Sequence, residues 1–216
     1  MVAEQSRHQG KRTPRPSSAA PAGVLLLVGL LLSGPASAQT DLFPEFARNN
    51  AARQLAEQLG QTYLRDRDPE ELASGSRSII DAILENVEAL GVDGLVAQVP
   101  ELREVGLPES GNPYLDAMAR YGACSFHLDS LYADSSLDET RPKLRVTAAE
   151  GLVAIPLASW LLRHHYLAEG GDDAALEAFL ASEEMNRKSL EIQQDEELLN
   201  YTFKQCSPAI AALLDF

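Results

Sequence analysis

The sequence predicts an all-α protein, an irregular bundle of five to seven helices closed by one disulfide. Three observations predict it. Beyond residue 38, apolar residues recur at spacings of three and four, with almost no strand-like alternation. The first 38 residues carry the parts of a secretory signal in the right order. Once that signal is removed, two cysteines remain, Cys124 and Cys206, an even count suited to an oxidising compartment.

The leader is read first. Arg7, Lys11, Arg12 and Arg15 form a basic start against a single acid, Glu4, and the apolar run Gly23 to Leu32 follows. Ser33-Gly34-Pro35 ends the run, and Ala36-Ser37-Ala38 supplies the small-x-small pattern that a signal peptidase accepts. Residues 1–38 are therefore expected to be a cleaved signal peptide, with the cut between Ala38 and Gln39. The apolar run has ten residues, and a bilayer core needs roughly 20. A membrane anchor after cleavage is therefore not expected. No cysteine stands at the cleavage site, and Lys11-Arg12 is the nearest approach to a twin-arginine pair. The expected location is the periplasm or the exterior of a bacterial cell.

The remaining chain, residues 39–216, is 178 residues long, one domain's worth and enough to bury a sizeable core. It keeps 14 basic residues against 31 acidic ones, a net charge of −17. Such a field repels nucleic acid and anionic membranes and favours a cationic partner, such as a basic protein of the cell envelope. The same acidity also serves solubility.

The elements follow in order. Asp41 to Asp66 reads as a first helix, with Pro44 in its first turn and Ala52, Leu55, Leu59 and Tyr63 on one stripe. A polar patch, Arg65 to Pro69, closes it. A second helix centres on Ile80, Ile83, Val87 and Leu90, with Gly91 as its C-terminal cap. Val92 to Gly111 holds enough Gly and Pro for one short helical piece and a loop.

Asn112-Pro113 opens a third helix, a capping side chain followed by proline in the first turn. Its stripe is Ala117, Tyr121, Cys124, Leu128 and Leu131. A fourth helix runs from about Arg141 to Ala168, and its uncharged middle, Gly151 to Leu162, is apolar on every side. Such a helix is buried on every side, so this one is expected at the centre, with a kink at Pro156. Asp172 to Cys206 is helical with a break near Ser182, and Ser207-Pro208 is expected to open a last short helix, Ala209 to Leu214.

Chemistry is sought next. Cys124 lies on the apolar stripe of its helix, and Cys206 extends a stripe through Ile192, Leu199 and Phe203, so both thiols are expected inside as a structural bridge. The competing arrangement is a metal site of Cys124, His127, Cys206 and His164. It lacks the two closely spaced ligand pairs of zinc modules, and His127 is expected on the polar edge of its helix. No cofactor is expected. There is no G-x-S-x-G, H-E-x-x-H, C-x-x-C or phosphate-cradling glycine loop, so no catalytic residue is assigned. Glu and Asp pairs such as Glu183-Glu184 read as a solvated face.

Mixed chemistry gathers only at Trp160, Arg163, His164 and His165, a candidate pocket between helices. The function expected from these features is a non-enzymatic binding or inhibitory module that meets a cationic envelope protein. The alternative is a small-ligand or metal carrier with a pocket near Trp160 to His165. A helical hydrolase has only abundant acids in its favour.

Overall fold

The computed structural model describes residue 46, residues 48–64 and residues 76–215. The expected signal peptide and its expected cleavage point between Ala38 and Gln39, the opening of the first predicted helix at Asp41 to Pro44 and the patch from Arg65 to Pro69 all lie outside these residues. Every regular element among the described residues is a helix: α1 (Asn50–Tyr63), α2 (Ser76–Ala97), α3 (Pro113–Ala133), a single turn α4 (Leu137–Thr140), α5 (Pro142–Ala168), α6 (Asp173–Leu180), α7 (Glu183–Gln194) and α8 (Glu196–Leu213). The all-α bundle with one disulfide is the fold that the apolar spacing predicts.

Side chains set most of the helix starts. Asn49 accepts from the backbone N–H of Ala51 and Ala52 and so starts α1. This is later than the start predicted at Asp41, which rested on Pro44 in a first turn and not on the stripe. Asn112 caps α3 with Pro113 in its first turn, as expected. Asp172, Ser182 and Asp195 cap α6, α7 and α8. The break near Ser182 is therefore present, and a second break at Asp195 separates Ile192 from the stripe of Cys206. Gly91, with φ of 61°, does interrupt α2, but the chain resumes its helix through Ala97. That left-handed backbone is open mainly to glycine.

Both prolines inside helices leave the helix continuous, and at Pro208 this differs from expectation. α5 runs on through Pro156. α8 runs unbroken through Pro208, so no separate helix begins at Ala209. Proline removes the hydrogen bond to the carbonyl four residues back. For Pro208 that is the carbonyl of Lys204, an exposed residue, where water can take the place of the missing donor.

α5 is the central helix. Every residue from Leu152 to Leu162 is buried except Pro156, and α1, α2, α3, α4 and α8 all pack on it. It is long and apolar enough to cross a membrane, but 67 % of its most apolar window is buried within the bundle. α3 lies antiparallel to it. His165 meets Tyr114 at one end, and Gly151 faces Leu128 at the other. α1 runs alongside α3, as the Tyr63–Tyr132 ring contact and the Phe46–Trp160 contact show.

Polar ties fix the outer helices. Arg53 of α1 pairs with Asp81 of α2, and Asn86 of α2 donates to the carbonyl of Ala212 in α8 at 2.7 Å. Tyr121 of α3 donates to the carbonyl of Leu95 at 3.0 Å, and burial pushes its hydroxyl pKa up to about 12.

Candidate ligand-binding cavity

The residues singled out by sequence divide into two groups. Cys124 and Cys206 are joined, with sulfurs at 2.05 Å and Cα atoms 5.7 Å apart. Neither thiol is left for a metal or for catalysis. His127 lies one turn further along α3, and it is not on a polar edge. Its ring stacks on Phe203 of α8 at 4.0 Å, and its Nδ1 is buried with no hydrogen-bond partner among the described residues. Sequence reasoning missed this because Phe203 comes from a helix far along the chain. Burial lowers the pKa of His127, which favours the neutral ring.

The second group gathers around the end of α5. Trp160 stacks on His164 at 3.5 Å and leans on Phe46 at 5.6 Å. His164 Nδ1 donates to the carbonyl of Trp160 at 2.9 Å, and burial lowers the pKa of its ring. His165 Nε2 lies 3.1 Å from both the Tyr114 hydroxyl and Glu169. Arg163 is buried, paired through Nη2 with Asp173 and, at 3.7 Å, with Glu177, which ties α6 to α5. Its Nη1 has no partner among the described residues. Trp160 and His164 engage each other, Arg163 and His165 reach neighbouring elements, and none of the four lines the cavity described next.

That cavity, of about 170 Å³, opens between α1, α3, α5 and the α6–α7 corner. Its wall includes Leu55 and Leu59 of α1, Met118 and Phe126 of α3, and Leu152 and Ile155 of α5. No lining side chain carries a charge. Three features set it apart from a packing defect. Gly122 of α3 lines it, and a Cβ built there would meet nothing within 4 Å. Ser159 of α5 and Ser189 of α7 also line it, both buried, and neither hydroxyl has a hydrogen-bond partner among the described residues. Pro156, the partly exposed residue in the buried run of α5, lines it as well and offers no N–H to the carbonyl of Leu152.

An interior helix glycine costs about 1 kcal/mol relative to alanine, and Gly122 borders the cavity together with Ser159 and Ser189. Bound water or a ligand with its own polar atom would satisfy the hydroxyls. Ser125, by contrast, donates to the carbonyl of Gly122 at 2.7 Å and is satisfied.

At the far side of the cavity stands Tyr63, half-buried, with Tyr132 edge-on at 5.4 Å. Burial and then the nearby Asp129 raise the pKa of its phenol. Asp129 itself is pushed up to about 6 by burial. Sequence reasoning placed a pocket about one turn too far along α5. The available signals were Gly122 inside a helical pattern and Ser159 in an apolar run, each a locally unfavourable choice. No family model matches this chain, and no characterised protein or solved structure matches it either.

Proposed function

We propose that this protein is an exported, non-enzymatic binding protein whose ligand is a small, mostly apolar molecule held between α1, α3 and α5. The observation that carries this reading is the uncharged cavity of about 170 Å³, walled by apolar side chains and by two buried serines, Ser159 and Ser189. Apolar walls with a few placed polar groups are the usual make-up of small-molecule sites. A dry apolar cavity of about 150 Å³ already accepts a benzene-sized guest. Export rests on the signal sequence at residues 1–38, and the Cys124–Cys206 disulfide fits an oxidising compartment.

Docking to a cationic envelope protein has the net charge in its favour. Part of the acidity nevertheless has local work to do. Asp172 and Asp195 cap helices, while Asp173, Glu183, Glu184, Glu196 and Glu197 occupy first turns, where negative charge complements the helix dipole. The cavity has no such local account, and it is what favours the small-ligand reading.

The test is a titration of the purified, disulfide-bonded protein with the apolar dye N-phenylnaphthylamine. The expected result is a saturable rise in dye fluorescence at one site, abolished by Gly122→Leu, whose side chain fills the space. No saturable uptake, or uptake that Gly122→Leu leaves unchanged, overturns the reading.

A further inference from the structure

We propose that α6 and α7 together form a hinged door to the cavity, with the ion pair of Arg163 as its latch. The inference rests on the small-ligand reading above and adds the way in for the ligand.

The cavity is nearly shut. Of its lining residues only Gln58 and Thr62, both on α1, are exposed. Leu59, Met118, Ile155 and Met185 are each at most 7 % exposed. A benzene-sized guest reaches them only when a wall moves.

Three of the four walls are held firmly. α5 is the central helix, and α3 is bonded to α8 through Cys124 and Cys206. α1 packs on α2 and α5 and pairs Arg53 with Asp81. The fourth wall is the α6–α7 corner, which contributes Leu180, Met185 and Ser189. It is held lightly. α6 buries only Leu176, and α7 only Met185, Ser189 and Ile192. Among the described residues, the hydrogen bonds and ion pairs of α6 and α7 stay within the two helices, their caps and the turn between them. The one exception is the pairing of Asp173 and Glu177 with Arg163 of α5. Lys188 lies beside Gly106 but pairs with Glu191 of its own helix at 3.0 Å.

The ends of this segment are pinned. Just after Gly170, with φ of 88°, the N–H of Asp172 donates to the Tyr166 hydroxyl at 3.1 Å. At the other end Asp195 leaves the helical conformation, and α8 beyond it carries the disulfide. Joints of this kind absorb the backbone change when a flap swings. A segment with few buried side chains and one polar tie opens at lower cost than the core.

Arg163 suits a latch rather than a permanent bond. Its side chain is 2 % exposed, whereas those of Asp173 and Glu177 are 49 % and 54 % exposed. Water can therefore take over the carboxylates as α6 lifts. With the door shut, Nη1 of Arg163 has no partner among the described residues. Lifting α6 hydrates that group, which offsets part of the lost pair.

The test uses the full, disulfide-bonded protein and the variant Asp173→Asn/Glu177→Gln, which removes the latch and touches no lining residue. In the wild type, hydrogen exchange read by mass spectrometry is expected to be at least about tenfold faster over α6 and α7 than over α3 and α5. The variant is expected to exchange about tenfold faster again, in α6 and α7 alone. Stopped-flow mixing with N-phenylnaphthylamine reads the passage itself. Its association and dissociation rates are expected to rise together by about tenfold in the variant, with Kd little changed, because opening precedes both steps. Exchange over α6 and α7 as slow as over α5 overturns the door and leaves the small-ligand reading standing. So do dye rates that the variant leaves unchanged, and so does faster exchange in every helix of the variant alike. Refusal of the dye by both proteins overturns the small-ligand reading, and the door with it.

Discussion

Two glycines lie on opposite faces of one helical contact, and they do opposite things. At Gly151 of α5, a Cβ would stand 2.7 Å from Leu128 Cδ1 and 3.6 Å from Ile210 Cγ2. There the missing side chain lets α3, α5 and α8 close together, beside the Cys124–Cys206 bridge. At Gly122 of α3, a Cβ would touch nothing within 4 Å, and the missing side chain keeps a space open. Cys124 and Gly122 are two residues apart, about 200° around the helix, so α3 has a closed face and an open one. A glycine in a helix therefore means nothing by itself, and its neighbours in space decide whether it serves packing or access.

The largest effect should come from opening the closed face. The disulfide spans 82 residues, and in a chain-entropy treatment removing it costs roughly 4–5 kcal/mol, an upper figure. Cys124→Ala/Cys206→Ala should lower the urea midpoint accordingly, and reductant should lower the wild type to match. A variant as stable as the wild type would mean that the bridge is not what holds this face.

Gly151→Leu comes next, because it overfills the contact with Leu128. A loss of about 1–3 kcal/mol is expected in urea unfolding, with the helical circular dichroism signal retained. An unchanged midpoint would show that α3 and α5 are not in close contact there.

Titration compares the faces in a third way, because each carries one half-buried ionisable group on α3. Asp129, beside Tyr63, is raised from 3.8 to about 6 by burial, so the folded state holds its proton more tightly than the unfolded chain. Its contribution to stability is complete below about pH 4 and is lost as pH rises through about 6. Asp129→Asn should therefore raise stability at neutral pH by about 1 kcal/mol, a figure discounted for the partial exposure of the carboxylate. His127, stacked on Phe203, has its pKa lowered from 6.5, so its contribution is present above pH 6.5 and is lost as pH falls. His127→Phe should flatten the acid side of the stability profile and Asp129→Asn the neutral side. The same change from both variants would contradict the placement of these groups.

The smallest effect belongs to the open face. Gly122→Ala removes the entropic cost of a helix glycine and meets no obstacle. It should stabilise the fold by about 0.5–1 kcal/mol and raise Tm by about 1–4 °C. A destabilised variant would mean that the space at Gly122 is already filled.

What could be read in the sequence was what depends on local spacing. Asn112-Pro113 marks the start of α3, Ser182 marks that of α7, and the uncharged run of α5 marks the centre, because caps and apolar periodicity act within a few residues. The compartment expected of Cys124 and Cys206 paired them correctly. Pro208 misled, since a lost helical hydrogen bond is a local signal whose outcome depends on solvent at Lys204. His127 misled because its stacking partner is distant in the chain.

The sequence by itself determined that the chain is helical, which helix is central and which cysteines meet, all consequences of periodicity, burial and redox chemistry. Only the tertiary structure decided that Gly151 is crowded while Gly122 is free, and that Ser159 and Ser189 line one cavity. It also showed that the side chains from Trp160 to His165 are engaged with one another and with their neighbours. The physical reason is that a cavity is a property of what several helices leave unfilled, and no one helix carries that information.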